Sequence, residues 1–418
     1  MSADKRSPVL PRLRFPEFVS EHPWNDMALS TTSDINPTHN GLPESFIYID
    51  LESVNSGTLV ERKEIERDNA PSRAQRLLRR KDILYQTVRP YQRNNLFFDI
   101  DDGYDYVAST GYAQLRAHGC PKFLYQLLHT NSFVNRVLSK CTGSNYPAIN
   151  SSDLVDICVS LPKPAEQQKI ADCLGSLDDL IAAADQKLAA LRQHKQGLMQ
   201  QLFPQPGETV PRLRFPEFQN AMEWQRCVIG EIAEISKGKG ISKSDVVEDG
   251  RTPCIRYGEL YTSYGEVIEI VKSRTNLAAS DLVLSKAGDV IIPASGETQD
   301  DIATCACVVD DGIALGSDLN ILRSPVDGRF FSYYLSGPQR RELAKIAQGD
   351  TVAHLYPTQL SRLVVYIPDA KAEQQRIADC LSSLDVQITA QFERLEYLKT
   401  HKKGLLQQLF PSAGESAP

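Results

Sequence analysis

The chain has 418 residues, of which 41% are hydrophobic and 24% are charged, a composition typical of a globular protein with two to four domains. No apolar run approaches the ~18 residues of a transmembrane helix, and the N-terminus lacks the apolar core of a signal peptide, so we expect a cytoplasmic protein. The formal net charge of −7 argues against binding of nucleic acid by bulk charge alone. The cysteines include no CxxC pair, so the usual zinc-binding spacing is absent.

The first globular segment opens with a short motif and continues with mixed elements. Residues 11–18 read PRLRFPEF, and Trp24 follows. Four apolar runs predict strands: residues 46–49, 82–85, 104–108 and 154–159. Residues 123–138 have helical periodicity. We therefore expect an α+β domain over residues 1–165.

A basic segment stands out within this domain. Residues 61–95 carry ten Lys or Arg and five acidic residues, although the whole chain is acidic. Arginine bonds guanine bidentately and Gln or Asn bonds adenine, so the segment suits base reading; a solvated basic loop is the alternative interpretation. The candidate DNA-binding residues of this domain are Arg73, Arg76, Arg79, Arg80, Gln86, Arg89, Tyr91, Arg93, Asn94 and, in a later glycine loop, Ser144.

A long helix follows over residues 166–204. Apolar side chains recur at alternating steps of four and three, which is the narrow seam of a coiled coil. Pro204 ends the pattern, and the helix should span about 55 Å at 1.5 Å per residue. The seam residues are Ile170, Leu174, Leu177, Ile181, Leu188, Leu191 and Leu198.

The same order then repeats. Residues 211–218 again read PRLRFPEF, Trp224 keeps its spacing, and residues 373–411 match residues 166–204 at 24 of 39 positions. The chain is therefore a tandem duplication, and the natural partner of each seam is the other copy. The second seam comprises Ile377, Leu381, Leu384, Ile388, Leu395, Leu398 and Leu405.

The second globular segment, residues 205–372, differs from the first inside these repeated boundaries. Residues 290–292, 304–309, 313–315 and 363–367 predict strands. Residues 330–346 predict a helix. Residues 38–66 and 237–256 share no evident pattern, so one framework carries two different surfaces. The candidate DNA-binding residues here are Lys237, Lys239, Lys243, Arg256, Ser295, Thr298 and Gln299.

Several motifs recur twice in the same order: PRLRFPEF, a proline before EQQxIA, and QQLFP. Together they resemble the specificity subunit of type I restriction-modification systems. The resemblance implies two target-recognition domains in tandem, separated by two long helices, residues 166–204 and 373–411, that pair as an antiparallel coiled coil. Residues 412–418 would be a tail.

The resemblance also implies function and partners. Each domain would read one half of a bipartite site on double-stranded DNA, with an unread gap set by the helices. Two methyltransferase subunits and two restriction (translocase and nuclease) subunits would be the partners. S-adenosylmethionine and ATP are expected in those subunits, and no cofactor or metal in this chain.

The sequence agrees with a non-catalytic role. No Gly-Lys-Ser/Thr phosphate cradle occurs, no Asn/Asp-Pro-Pro-aromatic run of the amino-methyltransferases is present, and no nucleophile–base set is recognisable. Two alternatives stay open. One is a coiled-coil scaffold that joins two protein-binding domains, and the other is the specificity module of a methyltransferase or nuclease.

Overall fold

The structure, a computed structural model, describes residues 10–143, 145–205, 207–349 and 353–411. The chain divides into two compact units, Met1–Ala184 with Arg394–Pro418, and Asp185–Glu393. Each unit contains one globular domain and a segment of each long helix. Ser144 and the predicted tail, residues 412–418, lie outside the described residues, and the predicted domain boundaries stay a prediction.

The first unit mixes strands and helices, which confirms the predicted α+β class. Its strands are β1 (Asn25–Ala28), β2 (Ser33–Ile35), β3 (Ser45–Ile49), β4 (Val54–Asn55), β5 (Thr58–Leu59), β6 (Lys63–Glu66), β7 (Ala74–Leu77), β8 (Asp82–Gln86), β9 (Leu96–Phe98), β10 (Tyr106–Ser109), β11 (Tyr112–Ala117) and β12 (Cys158–Leu161). Its helices are α1 (Leu29–Thr32), α2 (Pro121–Leu128), α3 (Asn131–Leu138), α4 (Ser151–Val155) and the start of α5 (Pro164–Leu202).

The second unit has the same mixture. Its strands are β13 (Gln225–Val228), β14 (Glu234–Lys237), β15 (Thr252–Ile255), β16 (Val267–Ile268), β17 (Ser273–Thr275), β18 (Val283–Leu284), β19 (Asp289–Pro293), β20 (Ser295–Gly296), β21 (Ala306–Val308), β22 (Ala314–Leu315), β23 (Leu319–Arg323), β24 (Ala353–His354) and β25 (Val364–Ile367). Its helices are α6 (Ile229–Ile232), α7 (Tyr257–Thr262), α8 (Gln299–Ile302), α9 (Gly328–Ser336), α10 (Arg340–Ile346), α11 (Pro357–Leu360) and the start of α12 (Lys371–Leu409).

Both domains share one sheet topology. In the first, β3 pairs antiparallel with β6 and parallel with β10, which pairs antiparallel with β7. In the second, β15 pairs in the same way with β17 and β22, and β22 with β18. The other large sheet, β2-β11-β8-β9 in the first unit, corresponds to β14-β23-β19-β21 in the second, where β16 adds a fifth strand at the edge. The duplication therefore extends through the segments in which the sequence shows no repeat.

The two long helices each have 39 residues and begin and end two residues earlier than predicted. Pro164 opens α5, because its missing N–H is one that the first turn leaves unpaired in any case. Every predicted seam residue is buried or half-buried, whereas Leu180 and Val386, which lie off the seam, are exposed. The coiled-coil periodicity therefore identified the packed side of both helices.

Within the first unit the helix segments run antiparallel. Glu166, near the start of α5, accepts a hydrogen bond from Trp24 Nε1, and Phe410, just past the end of α12, lies 5.9 Å from the Trp24 ring between centroids. Further along both helices, Lys402 of α12 pairs with Asp178 of α5 at 2.5 Å. The end of α12 thus lies beside the start of α5.

The second unit repeats this arrangement with the helices exchanged. Glu373, near the start of α12, accepts from Trp224 Nε1, and Phe203, past the end of α5, packs on Trp224 at 6.3 Å. Lys195 of α5 pairs with Asp385 of α12 at 2.6 Å. Each globular core is therefore completed by the helix end that belongs to the other sequence copy.

Three local predictions were wrong. Residues 154–159 are not one strand, because α4 runs to Val155 and β12 begins only at Cys158. Residues 123–138 form two helices, since the Thr130 hydroxyl accepts from Phe133 N and caps a new helix, α3. Residues 330–346 are likewise interrupted, between α9 and α10, at Gly337.

Candidate nucleic-acid interface

The repeated motifs converge on one buried carboxylate in each unit. Arg14, from the PRLRFPEF motif, donates from Nε and Nη2 to Glu166 at 2.8 and 2.7 Å, and Trp24 shares this acceptor. Bidentate bonds of this kind are strong and directional. The side-chain hydrogen bond to Glu166, with the charge of that carboxylate, raises the pKa of Arg14. The bidentate pair anchors the domain to α5.

The second unit repeats this cluster at the corresponding residues, Arg214, Glu373 and Trp224, with Arg–carboxylate distances of 2.7 Å.

A second repeated ion pair lies inside each domain. Asp82 of β8 accepts two bonds from Arg116 of β11, and Asp289 of β19 accepts two from Arg323 of β23. The residues that are identical between the copies therefore build the framework and leave the loops free to differ.

In the first unit two separate loops meet, and we call them the first loop pair: residues 87–95, which follow β8, and the described part of residues 142–148. Val88 bridges to Ala148, and Arg89 N donates to Pro147 O at 2.7 Å. The Arg89 guanidinium lies 4.3 Å from the ring centroid of Tyr146, whose side chain is 64% exposed. The result is a cation and an aromatic face side by side at the surface.

Two candidate arginines of this domain are half-buried without an acceptor. The Nε atoms of Arg76 and Arg89 are buried and have no hydrogen-bond partner among the described residues. Burial lowers the pKa of Arg76, which lies on the edge strand β7. A partly desolvated guanidinium without an acceptor gains more than a solvated one when a base or phosphate acceptor arrives.

Other candidates hold the loops in shape. Gln86 is buried, accepts from Asn94 N and donates to Gln92, while Asn94 donates to Val54 O at 2.5 Å. Arg93 donates to His129 O and Asn131. Arg80 pairs with two exposed carboxylates, Asp99 and Asp101. Three candidates are simply exposed: Arg73, Arg79 and Tyr91.

The second unit brings corresponding loops together, and we call them the second loop pair: residues 294–299 and the described part of residues 348–356. Ser295 of β20 pairs with His354 of β24. Tyr356, 46% exposed, stacks on His354 at 6.1 Å between centroids, and Lys237 Nζ lies 5.8 Å from the Tyr356 ring. This surface again joins a cation to an aromatic ring.

The candidates of the second unit fall into three groups. Ser295 is buried, and Thr298 caps α8 by accepting from Asp301 N at 3.1 Å. Arg256 is half-buried, and its Nε makes no hydrogen bond among the described residues but lies 3.8 Å from Glu259 Oε2 in an ion pair. The exposed candidates are Lys237, Lys239, Lys243 and Gln299.

Sequence reasoning proposed Tyr91 of the first loop pair but missed one aromatic residue in each loop pair, Tyr146 and Tyr356. Tyr146 and Tyr356 are exposed and each contacts a predicted basic residue. Tyr146 follows the glycine loop that contains Ser144, and Tyr356 lies seven residues after Gly349, so a tyrosine soon after a glycine was the available signal. Aromatic faces beside cations are suited to stacking on bases.

Comparison with known proteins decides the class. The sequence model of the family described as "Type I restriction modification DNA specificity domain" matches residues 52–193 and 222–399, which is more than half of the chain. The chain belongs to this family. It is a type I restriction-modification specificity subunit with two DNA specificity domains.

Curated relatives agree with this assignment. The chain is 24% identical over 223 residues to the HindI specificity subunit of Haemophilus influenzae, covering 51% of this chain and 47% of that protein. It is 23% identical over 300 residues to the MjaVIII specificity subunit of Methanocaldococcus jannaschii, covering 68% of each. The matched segment thus spans about half of the HindI subunit.

Solved structures agree on the fold. The S subunit of the type I system of M. genitalium matches with a TM-score of 0.59 at 16% identity, covering 96% of this chain and 99% of that one. A chain from a study of complex assembly and conformational transition of the type I R-M system matches with a TM-score of 0.53 at 22% identity, covering 93% and 97%. Among the described residues of this specificity subunit, no helix is long and apolar enough to cross a membrane.

Proposed function

We propose that this specificity subunit reads a bipartite site on double-stranded DNA, one half with each domain. The observation that carries the proposal is the contrast between framework and loops. Both domains share sheet topology and buried ion pairs, yet the first loop pair presents Arg89 and Tyr146 while the second presents Lys237, His354 and Tyr356. Equal frameworks with unequal recognition surfaces suit a site with two different halves.

The subunit directs catalytic partners and does not catalyse. Two methyltransferase subunits dock on the long helices, and two restriction subunits join them, with S-adenosylmethionine and ATP bound in those partners. Exposed apolar side chains support a docking role for the helices, because such residues mark interaction surfaces: Leu180, Val386, Phe392 and Tyr397. Partner subunits also supply phosphate neutralisation, since this chain carries a net charge of −7.

The helices set the length of the unread gap. Each has 39 residues and is therefore about 58 Å long at 1.5 Å per residue. Removing residues 184–190 and 391–397 together deletes one heptad from each helix and keeps both seams in phase. The variant should methylate a motif with the same half-sites and a shorter gap, or lose activity. An active variant that methylates a motif with the original gap would show that helix length does not set the gap.

The direct test is methylome sequencing of a host that carries this chain and its methyltransferase. The expected result is a bipartite adenine-methylation motif that vanishes when this chain is deleted. A methyltransferase that modifies the same motif without this chain would contradict the proposal. Methyl transfer by the purified chain alone would instead support the alternative of an enzyme with its own specificity module.

Substitutions at the recognition surface distinguish DNA reading from the alternative of a coiled-coil scaffold. Neutralising Arg76 and Arg89 should abolish site methylation while the complex with the methyltransferase still assembles, because neither guanidinium holds a framework ion pair. Unchanged methylation by a folded Arg76→Gln/Arg89→Gln variant would favour a scaffold whose domains bind proteins.

A further inference from the structure

A basic cleft of about 560 Å³ lies in the first unit, between residues of the first loop pair, the start of α3 and the end of α12. Four basic side chains line it, Arg12, Arg93, Arg136 and Lys403, and none of the described Asp or Glu residues does. In a chain of net charge −7, a concave surface with cations and no carboxylate concentrates positive potential. The cleft is therefore suited to an anionic ligand.

Three of these cations have only neutral acceptors or none. Arg93 donates to His129 O at 2.9 Å and to Asn131 Oδ1 at 2.6 Å, and Arg136 donates to Cys158 O at 2.5 Å. Across the described part of the chain, Arg93, Arg136 and Lys403 take part in none of the ion pairs, although many other basic residues do. The cleft therefore holds positive charge that the protein does not neutralise.

The neighbouring histidine does not change this balance. Burial lowers the pKa of His129 to about 4, and its Nδ1 lies 2.8 Å from Tyr125 O, so the ring is neutral and donates from Nδ1. The Thr130 hydroxyl caps Phe133 N in the first turn of α3, and Asn131 and Ser132, which line the cleft, precede the first N–H that a helical carbonyl can accept. Their backbone N–H groups strengthen an anion site that the side chains already define.

The duplicated framework does not require this charge. At the offset of 207 that relates the long helices, Gln196 stands in the second unit where the first has Lys403. At the offset of 206 that relates Ile149 to Leu355, Glu342 stands where the first unit has Arg136. Arg12 recurs as Arg212, but the second unit forms its core without cations at the other two positions, so the charges of Arg136 and Lys403 are not needed for the shared framework.

We propose that this cleft binds backbone phosphates of the DNA that flanks the half-site of the first domain. The inference rests on the proposed function, and it adds a contact outside the base-reading loops. Arg93 lies four residues from Arg89, and a fully extended chain would separate their Cα atoms by at most about 14 Å. One loop thus carries a base-reading cation and a cleft cation, which places flanking phosphates within reach. Phosphate contacts of this kind fix the register of a protein on DNA and carry no sequence information.

The test uses the complex of the full chain with its methyltransferase and a duplex that carries the methylated motif with long flanks. Arg136→Gln/Lys403→Gln removes two cleft charges. Each lost phosphate contact lowers the slope of log affinity against log salt by about 0.9, so the variant should lose about two from that slope. The methylated motif should not change. The matched control is Lys122→Gln/Arg341→Gln, which removes two exposed cations outside the cleft and should leave the slope unaltered.

The outcomes are separable. A wild-type complex that shows no preference for the motif refutes the proposed function itself. A wild-type complex that prefers the motif, with equal slopes for the cleft and control variants, refutes the cleft alone. If the cleft variant instead fails to assemble with the methyltransferase, the cleft holds an acidic segment of that protein and the DNA assignment is overturned. Should the double variant unfold, Lys403→Gln alone, at an exposed side chain, is expected to lower the slope by about one.

Discussion

Each long helix has a lysine on its packed side, Lys195 in α5 and Lys402 in α12. Because the two positions correspond in the duplicated sequence, a substitution at one serves as the control for the same substitution at the other. Lys195 Nζ lies 2.6 Å from Asp385 Oδ1 and 2.8 Å from Glu266 Oε2. The Tyr333 hydroxyl donates to the same Asp385 at 2.6 Å. These four residues join α5, α12 and the second domain. A polar group in a coiled-coil seam fixes register and orientation, so the cluster should hold the domain in place on the helices.

Lys195→Met removes the charge and keeps an unbranched side chain that is shorter by one heavy atom. Removing one member of a fully buried pair costs about 3–5 kcal/mol. Here the side chains of Lys195, Glu266 and Asp385 are 12%, 25% and 33% exposed, so water screens part of the loss. We therefore expect a cost of about 2–3 kcal/mol. For a unit of about 200 residues this lowers Tm by roughly 5–10 °C.

The matched control is Lys402→Met in the first unit. Lys402 pairs with Asp178 at 2.5 Å, but the two side chains are 19% and 40% exposed, and Gln126 takes the place that Tyr333 has in the second unit. Because these side chains are more exposed to water and Lys402 pairs with one carboxylate only among the described residues, we expect a loss of about 1 kcal/mol. The same substitution should thus cost less than half as much in one unit as in the other.

The two tryptophans make the assay specific to each unit. Trp24 lies in the first core and Trp224 in the second. Urea unfolding followed by fluorescence in a Trp24→Phe background reports the second unit, and a Trp224→Phe background reports the first. Equal losses for Lys195→Met and Lys402→Met, or a loss under about 0.5 kcal/mol for Lys195→Met, would refute the reasoning.

The raised pKa of Asp385 determines how the stability lost in Lys195→Met should depend on pH. Burial raises the pKa of Asp385, although Lys195 opposes the shift, so the folded state holds this proton more tightly than the unfolded chain does. For such a group, stability falls as pH rises from the unfolded pKa through the folded pKa. Lys195→Met removes the opposing charge and should raise that pKa further. The stability that Lys195→Met loses relative to the wild-type protein should therefore be largest at neutral pH and smaller in acid.

Three further predictions concern the framework and the recognition surface. Glu166→Gln removes the negative charge of the carboxylate to which Arg14 and Trp24 donate. It should lower the free energy of unfolding in urea by about 2–4 kcal/mol, and a loss under about 0.5 kcal/mol would show that this ion pair does not anchor the domain. Leu188→Ala and Leu395→Ala remove buried seam side chains and should each cost about 2–5 kcal/mol, whereas Leu180→Ala, at an exposed position, should cost under about 1 kcal/mol; similar costs at all three would contradict the assigned seam. Arg76→Gln should weaken DNA binding by about 1–3 kcal/mol and leave unfolding unchanged within about 0.5 kcal/mol, because it breaks no ion pair; a large loss of stability would make Arg76 a structural residue.

The framework was largely predictable because its signals are periodic or repeated. The seam from Ile170 to Leu202 follows a strict step pattern, and such a pattern survives as one packed face of a helix. The motifs around Arg14, Trp24 and Glu166 recur 200 or 207 residues later, and the structure shows that they contact one another. The repeated motifs thus indicated the residues that form the same Arg–Glu–Trp contacts in both units.

The sheets and loops were less predictable, for physical reasons. Strands β3 and β15 occupy the same place in two equivalent sheets, but parallel pairing between short, distant strands leaves no local pattern in the sequence. The break at Thr130 depends on a single capping bond. Gln86 looked like a base reader, yet it is buried and bonded to Asn94. The contact of Arg89 with Tyr146 joins two loops that are far apart in the chain, so only the fold reveals it.

The most direct test of the central claim is a domain exchange. Residues 19–161 are replaced by the matching segment of another type I specificity subunit whose methylated motif is known, and the methylome of the host is sequenced. The account predicts a motif in which one half-site is replaced by that of the donor, while the other half-site and the gap stay as they were. A folded chimaera that methylates the original full motif, or a motif altered in both halves, would contradict independent reading by the two domains.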